Sequence, residues 1–118
     1  MNKFENLNVW KKSMDLVCEV YKVMKLLPDN EQYGLVLQIK RCSVSIPSNI
    51  AEGAGRNSPK EFIHFLSIAN GSTCELETQL LLIVKLDFIS KDQIGTLLNS
   101  CREIRNMNYS LQRSIKKS

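Results

Sequence analysis

Aromatic side chains make up only 7% of this 118-residue chain, which has a single histidine and a single tryptophan. A core with so few rings must be mainly aliphatic. No run approaches the roughly 18 consecutive apolar residues of a membrane-spanning helix. No segment sustains the two-residue alternation of a half-buried strand either, so neither a membrane span nor a sheet is expected. The four cysteines, Cys18, Cys42, Cys74 and Cys101, include no CxxC pair, which removes the ligand spacing of a zinc site. The opening stretch MNKFENLNVWKKS has no apolar signal-peptide core. The thiols are therefore read as reduced, cytoplasmic and mostly buried, acting as small apolar residues. The lone histidine, His64, falls on the polar side of a helix, and no nucleophile–base–orienter set can be assembled around it. Glu52, Glu75 and Glu77 do not form the Glu-x-x-His arrangement of di-iron bundles. No enzyme activity, metal or cofactor is expected.

What is present fits one globular domain spanning residues 1–118. The chain is 43% hydrophobic and 24% charged, enough apolar material for a single core. The formal net charge is +4, and its location says more than its size. Residues 1–90 are balanced, so the whole excess lies in residues 91–118. There Arg102, Arg105, Arg113, Lys116 and Lys117 are candidate phosphate contacts for a nucleic acid. A basic helix end that complements its own dipole would look the same by charge alone. Arginines 102, 105 and 113 do not share one helical face. Only Tyr109 interleaves the basic residues, too little aromatic surface for a stacking platform.

Apolar residues recur at three- and four-residue steps in four segments. The first helix is expected over 8–26, with Trp10, Met14, Val17, Tyr21 and Met24 as its buried face and Leu16, Val20 and Val23 widening it. Pro28 ends it. Asp29 or Asn30 would cap the second helix, which buries Leu35, Ile39, Cys42, Ile46 and Ile50, bends at Pro47 and stops at Gly53–Gly55. The third opens on Ser58, Pro59 and Glu61 as a capping box. It buries Phe62, Phe65 or Leu66, Ala69, Thr73, Leu76, Leu80 and Ile83 and contains Gly71, read as a point of close backbone approach. Ser90 and Gln93 form another capping box for the fourth, whose apolar face is Leu97, Cys101, Ile104, Leu111 and Ile115. Arg105, Asn108 and Gln112 interrupt that seam. Four amphipathic helices on short connectors predict an all-α, antiparallel up-down-up-down bundle.

The stretch QIKRCSVSIPSNIAEGAGR, residues 38–56, reads as helix yet is lined with small and polar residues. Two antiparallel helices closed near residue 56 oppose residues whose numbers sum to about 113–116. That register sets Arg41 near Ser72–Glu75 and Ser45 near Gly71. A polar network of Arg41, Ser45, Asn49, Glu52, Glu75 and Glu77 is expected between the second and third helices. An Arg41–Glu75 ion pair is its centre, with Glu77 as the other possible partner. A ligand or partner face made by Arg41, Ser45, Asn49, Glu52 and Arg56 is the competing reading.

Trp10, EQYGL at 31–35, the run from Gln38 to Gly53 (Q-x-x-R-x-x-x-S-I-P-x-N-I-A-E-G), R-x-S-x-x-E-F at 56–62 and G-S-x-x-E-L-E-T-Q-L at 71–80 form a long combined pattern. It resembles the four-helix-bundle proteins encoded in intervening sequences of bacterial large-subunit ribosomal RNA genes, relatives of the accessory protein of diversity-generating retroelements. The resemblance implies a cytoplasmic, non-enzymatic bundle assembled as a ring-like homopentamer. It also implies association with RNA or DNA. The expected function is electrostatic binding of nucleic-acid phosphates. The alternative is a scaffolding module for a protein partner, using apolar residues off the main stripes: Leu7, Val36, Val44, Ile63, Ile68, Leu82 and Val84.

Overall fold

The computed structural model describes residues 4–118; residues 1–3 of the expected 1–118 domain lie outside the described residues. Among the described residues there are four α-helices and no strand: α1 (Asn8–Met24), α2 (Leu35–Ala54), α3 (Pro59–Lys85) and α4 (Lys91–Lys117). Short 3-10 turns occupy Phe4–Asn6 and Asp29–Glu31. α1 packs on α2, α2 on α3, α3 on α4 and α4 on α1, which encloses one aliphatic core.

The helix starts follow from cap chemistry. The Ser58 hydroxyl accepts from the Glu61 N–H at 3.2 Å, and Pro59 fills the first helical position. The Glu61 carboxylate does not return to Ser58; it lies 3.5 Å from Arg56 Nη1 instead. Ser90 and Gln93 do close their box, with the Ser90 N–H donating to Gln93 Oε1 at 2.8 Å. The expected cap at Asp29 or Asn30 does not form. Those residues make their own 3-10 turn, and α2 starts only after Gly34, with no side-chain cap. α2 also runs on through Gly53 and Ala54 in right-handed geometry, so the expected left-handed glycine stop is absent. Pro47 sits buried inside an unbroken α2.

In α3 the expected stripe is buried with Leu66 rather than Phe65 in the core, Phe62 only partly covered and Asn70 added; α4 adds Ile94 and Asn108, while Leu111 and Ile115 are half-buried. In α1 the buried face is turned by one residue, about 100°, from the expected one, keeping Leu16, Val20 and Met24. Val9, Ser13, Leu16, Val20 and Met24 are buried, whereas Met14 and Tyr21 are 42% and 41% exposed. Two apolar stripes compete on α1, and the stripe with fewer bulky rings enters the tightly packed interior. Val36, expected to be off the stripe, is fully buried.

The close approach between α2 and α3 falls at Gly53, not at Gly71. A Cβ on Gly53 would lie 2.6 Å from Phe65 Cβ and 3.1 Å from Phe62 Cδ1, while a Cβ on Gly71 meets nothing within 4 Å. Farther along, Cys42 Sγ donates to the Ser72 carbonyl at 3.2 Å. Contacts from Gly53 to Phe62 and from Cys42 to Ser72 keep residue numbers summing to a near-constant value, within the register expected.

A polar seam holds α4 to α3. Arg105 reaches Glu77, with Nη2 donating to Oε1 at 3.1 Å and Nε 2.8 Å from Oε2. The Nε–H is not aligned for a hydrogen bond, so that half of the contact is Coulombic. Asn108 Nδ2 donates to Asn70 Oδ1 at 2.8 Å in the dry interior. Gln112 Nε2 donates to Ser67 Oγ at 2.8 Å and to the Ile63 carbonyl at 3.1 Å.

Gly53→Ala and Gly71→Ala should therefore move stability in opposite directions. Overpacking at Gly53 is expected to cost about 1–3 kcal/mol. Gly71→Ala, in open space on a helix, should gain up to about 1 kcal/mol. Urea unfolding of the two variants checks both signs.

Candidate nucleic-acid interface

The basic candidates all lie on α4, and the side of the helix each occupies decides its use. Ile94, Leu97, Cys101, Ile104 and Asn108 point into the bundle. Arg102, Asn106, Tyr109, Arg113 and Lys116 recur at steps of three and four on an exposed flank, so they form one stripe along the helix. Among the described residues, Arg102, Lys116 and Lys117 contact no carboxylate within 4.0 Å, and Arg113 donates only to Ser110 Oγ, at 3.3 Å. Arg105 is different. It faces α3, half-buried against Glu77, and that hydrogen bond raises its pKa above the usual value. It is a structural cation and drops out of the candidate set. The acidic neighbour Glu103 is met by Lys12 at 2.9 Å. On the flank of α3 that packs towards α4, the exposed residues Ser67, Gly71, Cys74 and Thr78 are all uncharged.

The second candidate region lies between α2 and α3. Arg41, Ser45 and Glu75 do line one groove of about 410 Å³, together with Gln38, Cys42, Ser72 and Gln79. The expected Arg41–Glu75 ion pair is not formed: among the described residues no carboxylate lies within 4.0 Å of Arg41, and Glu77 is turned to α4 by Arg105. Arg41 is exposed at the groove mouth, where hydration leaves little to gain from an ion pair. Glu75 sits instead beside the Cys42 thiol. The remaining members are satisfied locally. Ser45 Oγ donates to the Cys42 carbonyl and Asn49 Nδ2 to the Ser45 carbonyl, both within α2. Glu52 pairs with Arg56 at 3.3 Å, one turn away. The six residues therefore do not make one network between helices. The seam that does is Glu77–Arg105, Asn70–Asn108 and Ser67–Gln112. Its signal was in the sequence, because Arg105, Asn108 and Gln112 recur at helical spacing on the apolar seam of α4.

A third surface was misassigned to the core. Trp10, Met14 and Val17 of α1 and Val44, Pro47, Ser48 and Ala51 of α2 line an apolar groove of about 330 Å³. Leu82 and Ile68, named as off-stripe residues, are exposed on α3. Among the described residues no group of three or more His, Cys, Asp or Glu side chains could hold a metal, and no helix is long and apolar enough to cross a membrane.

Residues 5–110 match the family model of the 23S rRNA-intervening sequence protein. The chain belongs to this family. Arg102, Asn106 and Tyr109 lie inside the matched region, and Arg113, Lys116 and Lys117 lie beyond it. A similar solved structure is that of a protein of unknown function from the S23 ribosomal protein family of Bacteroides thetaiotaomicron. It is 28% identical, with a TM-score of 0.81 over 88% of this chain and 97% of that one. No curated protein matches the sequence.

The thiols divide two and two rather than being mostly buried: Cys42 and Cys101 are buried, Cys18 and Cys74 exposed. Burial, then the nearby Glu75, pushes the Cys42 thiol up to about 12; burial, then the Glu77 charge, does the same for Cys101. Both stay protonated and inert in the fold. Alkylation at pH 8 should label Cys18 and Cys74 in the native protein, and all four only after unfolding; peptide mapping checks this. Because the folded pKa values lie above the unfolded value of 9.0, the fold should lose stability as pH rises from about 9 towards 12.

Proposed function

We propose that this protein is a non-catalytic RNA-associated bundle that binds phosphates electrostatically through α4. The observation that carries this reading is the set of cations left uncompensated once Arg105 is spent on Glu77. Arg102, Arg113, Lys116 and Lys117 are exposed in a region that holds the whole net charge of +4. Such contacts position a nucleic acid without reading its sequence. The family name associates its members with ribosomal RNA genes, which favours RNA over DNA as the partner.

Four released counterions predict that log K falls with log salt at a slope of about −3 on single-stranded RNA. Fluorescence anisotropy of a labelled RNA across salt measures it. The double charge reversal Arg113→Glu/Lys116→Glu should abolish binding at low salt. Lys25→Glu, at the far end of the bundle, should not. Salt-independent affinity, or no binding by the unaltered protein, would refute the reading.

We also propose that the antiparallel up-down-up-down bundle assembles with itself, as a ring-like homopentamer in the cytoplasm. The apolar α1–α2 groove supports self-association, since contiguous apolar surface of this kind marks interaction sites. The same groove favours the alternative reading, a scaffold for a different protein. Light scattering after size exclusion distinguishes them. Self-association predicts a multimer that Met14→Glu reduces to a monomer of unchanged helicity. A strict monomer at micromolar concentration would leave the groove to a different protein.

A further inference from the structure

The exposed flank of α4 carries one residue that phosphate binding does not use. Tyr109 is 47% exposed and lies in the same stripe as Arg102 and Arg113. Along the helix axis it sits about 10 Å from Arg102 and about 6 Å from Arg113. A buried ring would need no explanation, since rings fill cores. This one stands in solvent between two cations that contact no carboxylate. No uncompensated carboxylate borders the ring: Glu103 is held by Lys12 and Glu77 by Arg105. The exposed residues of the facing α3 flank, Ser67, Gly71, Cys74 and Thr78, are uncharged, and Gly71 carries no side chain, so the surface beside the ring is open.

We propose that this flank takes an unpaired RNA strand, with Tyr109 stacking on one base between phosphates held by Arg102 and Arg113. The proposal rests on the phosphate-binding reading and names the form of RNA it prefers. In a duplex the bases are stacked on each other, and the A-form helix offers a protein only its backbone, 2′-hydroxyls and shallow groove. A duplex would use the cations and leave the ring idle. A single strand can turn a base outward onto the phenol face, and such stacking tolerates any base. One aromatic is not a platform. It adds one stacked base to a backbone-tracking site, enough to separate strand from duplex.

The test is anisotropy with a short labelled RNA strand and with the same strand annealed to its complement. The unaltered protein should bind the free strand more tightly. Tyr109→Ala should weaken strand binding roughly 5- to 100-fold and leave duplex binding unchanged. Tyr109→Phe, which keeps the ring, should restore it. Circular dichroism should show both variants folded, because the side chain is exposed. Equal affinity of the unaltered protein for strand and duplex would overturn the stacking proposal, as would a Tyr109→Ala effect that is absent or the same on both RNAs. The phosphate reading would survive either result. Absence of binding to both RNAs would remove the two together.

Discussion

The α3–α4 seam constrains both the packing of this bundle and the charge left on its surface. Leucine and isoleucine pack against one another in many registers with little penalty, so an aliphatic seam alone specifies alignment weakly. Asn70 and Asn108 do not permit such slippage. Both are buried, and the bond from Asn108 Nδ2 to Asn70 Oδ1 at 2.8 Å exists in one alignment only. The pair is not a stabilising optimum, since Asn70 Nδ2 and Asn108 Oδ1 have no partner among the described residues. Buried polar groups left half-satisfied cost free energy. What they supply is discrimination between one register and its neighbours, as a single buried asparagine does in coiled coils. Glu77–Arg105 repeats the constraint about one turn along, and Gln112 repeats it in the other direction.

That seam also sorts the cations of α4. A half-buried guanidinium must be paired, and Glu77 pairs it. Arg102 and Arg113 lie on the other side of the stripe boundary and remain hydrated. Two arginines three residues apart thus have unrelated roles, although composition treats them alike. The proposed phosphate recognition would be a residue of the packing solution: it would use the charges the interior did not claim.

The parts legible in the sequence were those set by local chemistry or by strong period. Ser58–Pro59 and Ser90–Gln93 marked two helix starts because a cap needs only neighbours in sequence. The α3 stripe was legible from Ala69 to Leu80, where polar residues separate the apolar positions, and ambiguous at Phe65 and Leu66, which are adjacent. The α2–α3 register followed from turn position, as Cys42 on Ser72 shows. The α1 face was not legible, because Trp10, Met14, Val17 and Tyr21 compete with Val9, Leu16 and Val20 at the same period. Hydrophobicity ranks the bulkier set first, whereas packing against α2 and α4 selects the slimmer one. The Arg41–Glu75 pair failed for a different reason. Register placed both residues at one groove, but it cannot say whether a side chain turns inward or stays in water. The polar seam is set by a second register, that of the α3–α4 turn, which brings Arg105 to Glu77.

The arrangement of surfaces bears on how the two proposed activities would combine. Each helix touches its two neighbours in sequence order around the bundle, α1 closing on α4, and the diagonal helices do not meet. The apolar groove belongs to α1 and α2, and the basic stripe lies on the α4 flank turned towards α3, on the opposite side. A second copy seated on the groove would therefore leave the stripe in solvent. A closed ring would present one stripe per subunit, each within reach of the same strand. The second contact with that strand would then be intramolecular, at an effective concentration set by the ring's dimensions. Four cations and one ring per subunit make a weak site, and repetition around a ring is the physical route by which so modest a surface could hold RNA at cellular salt.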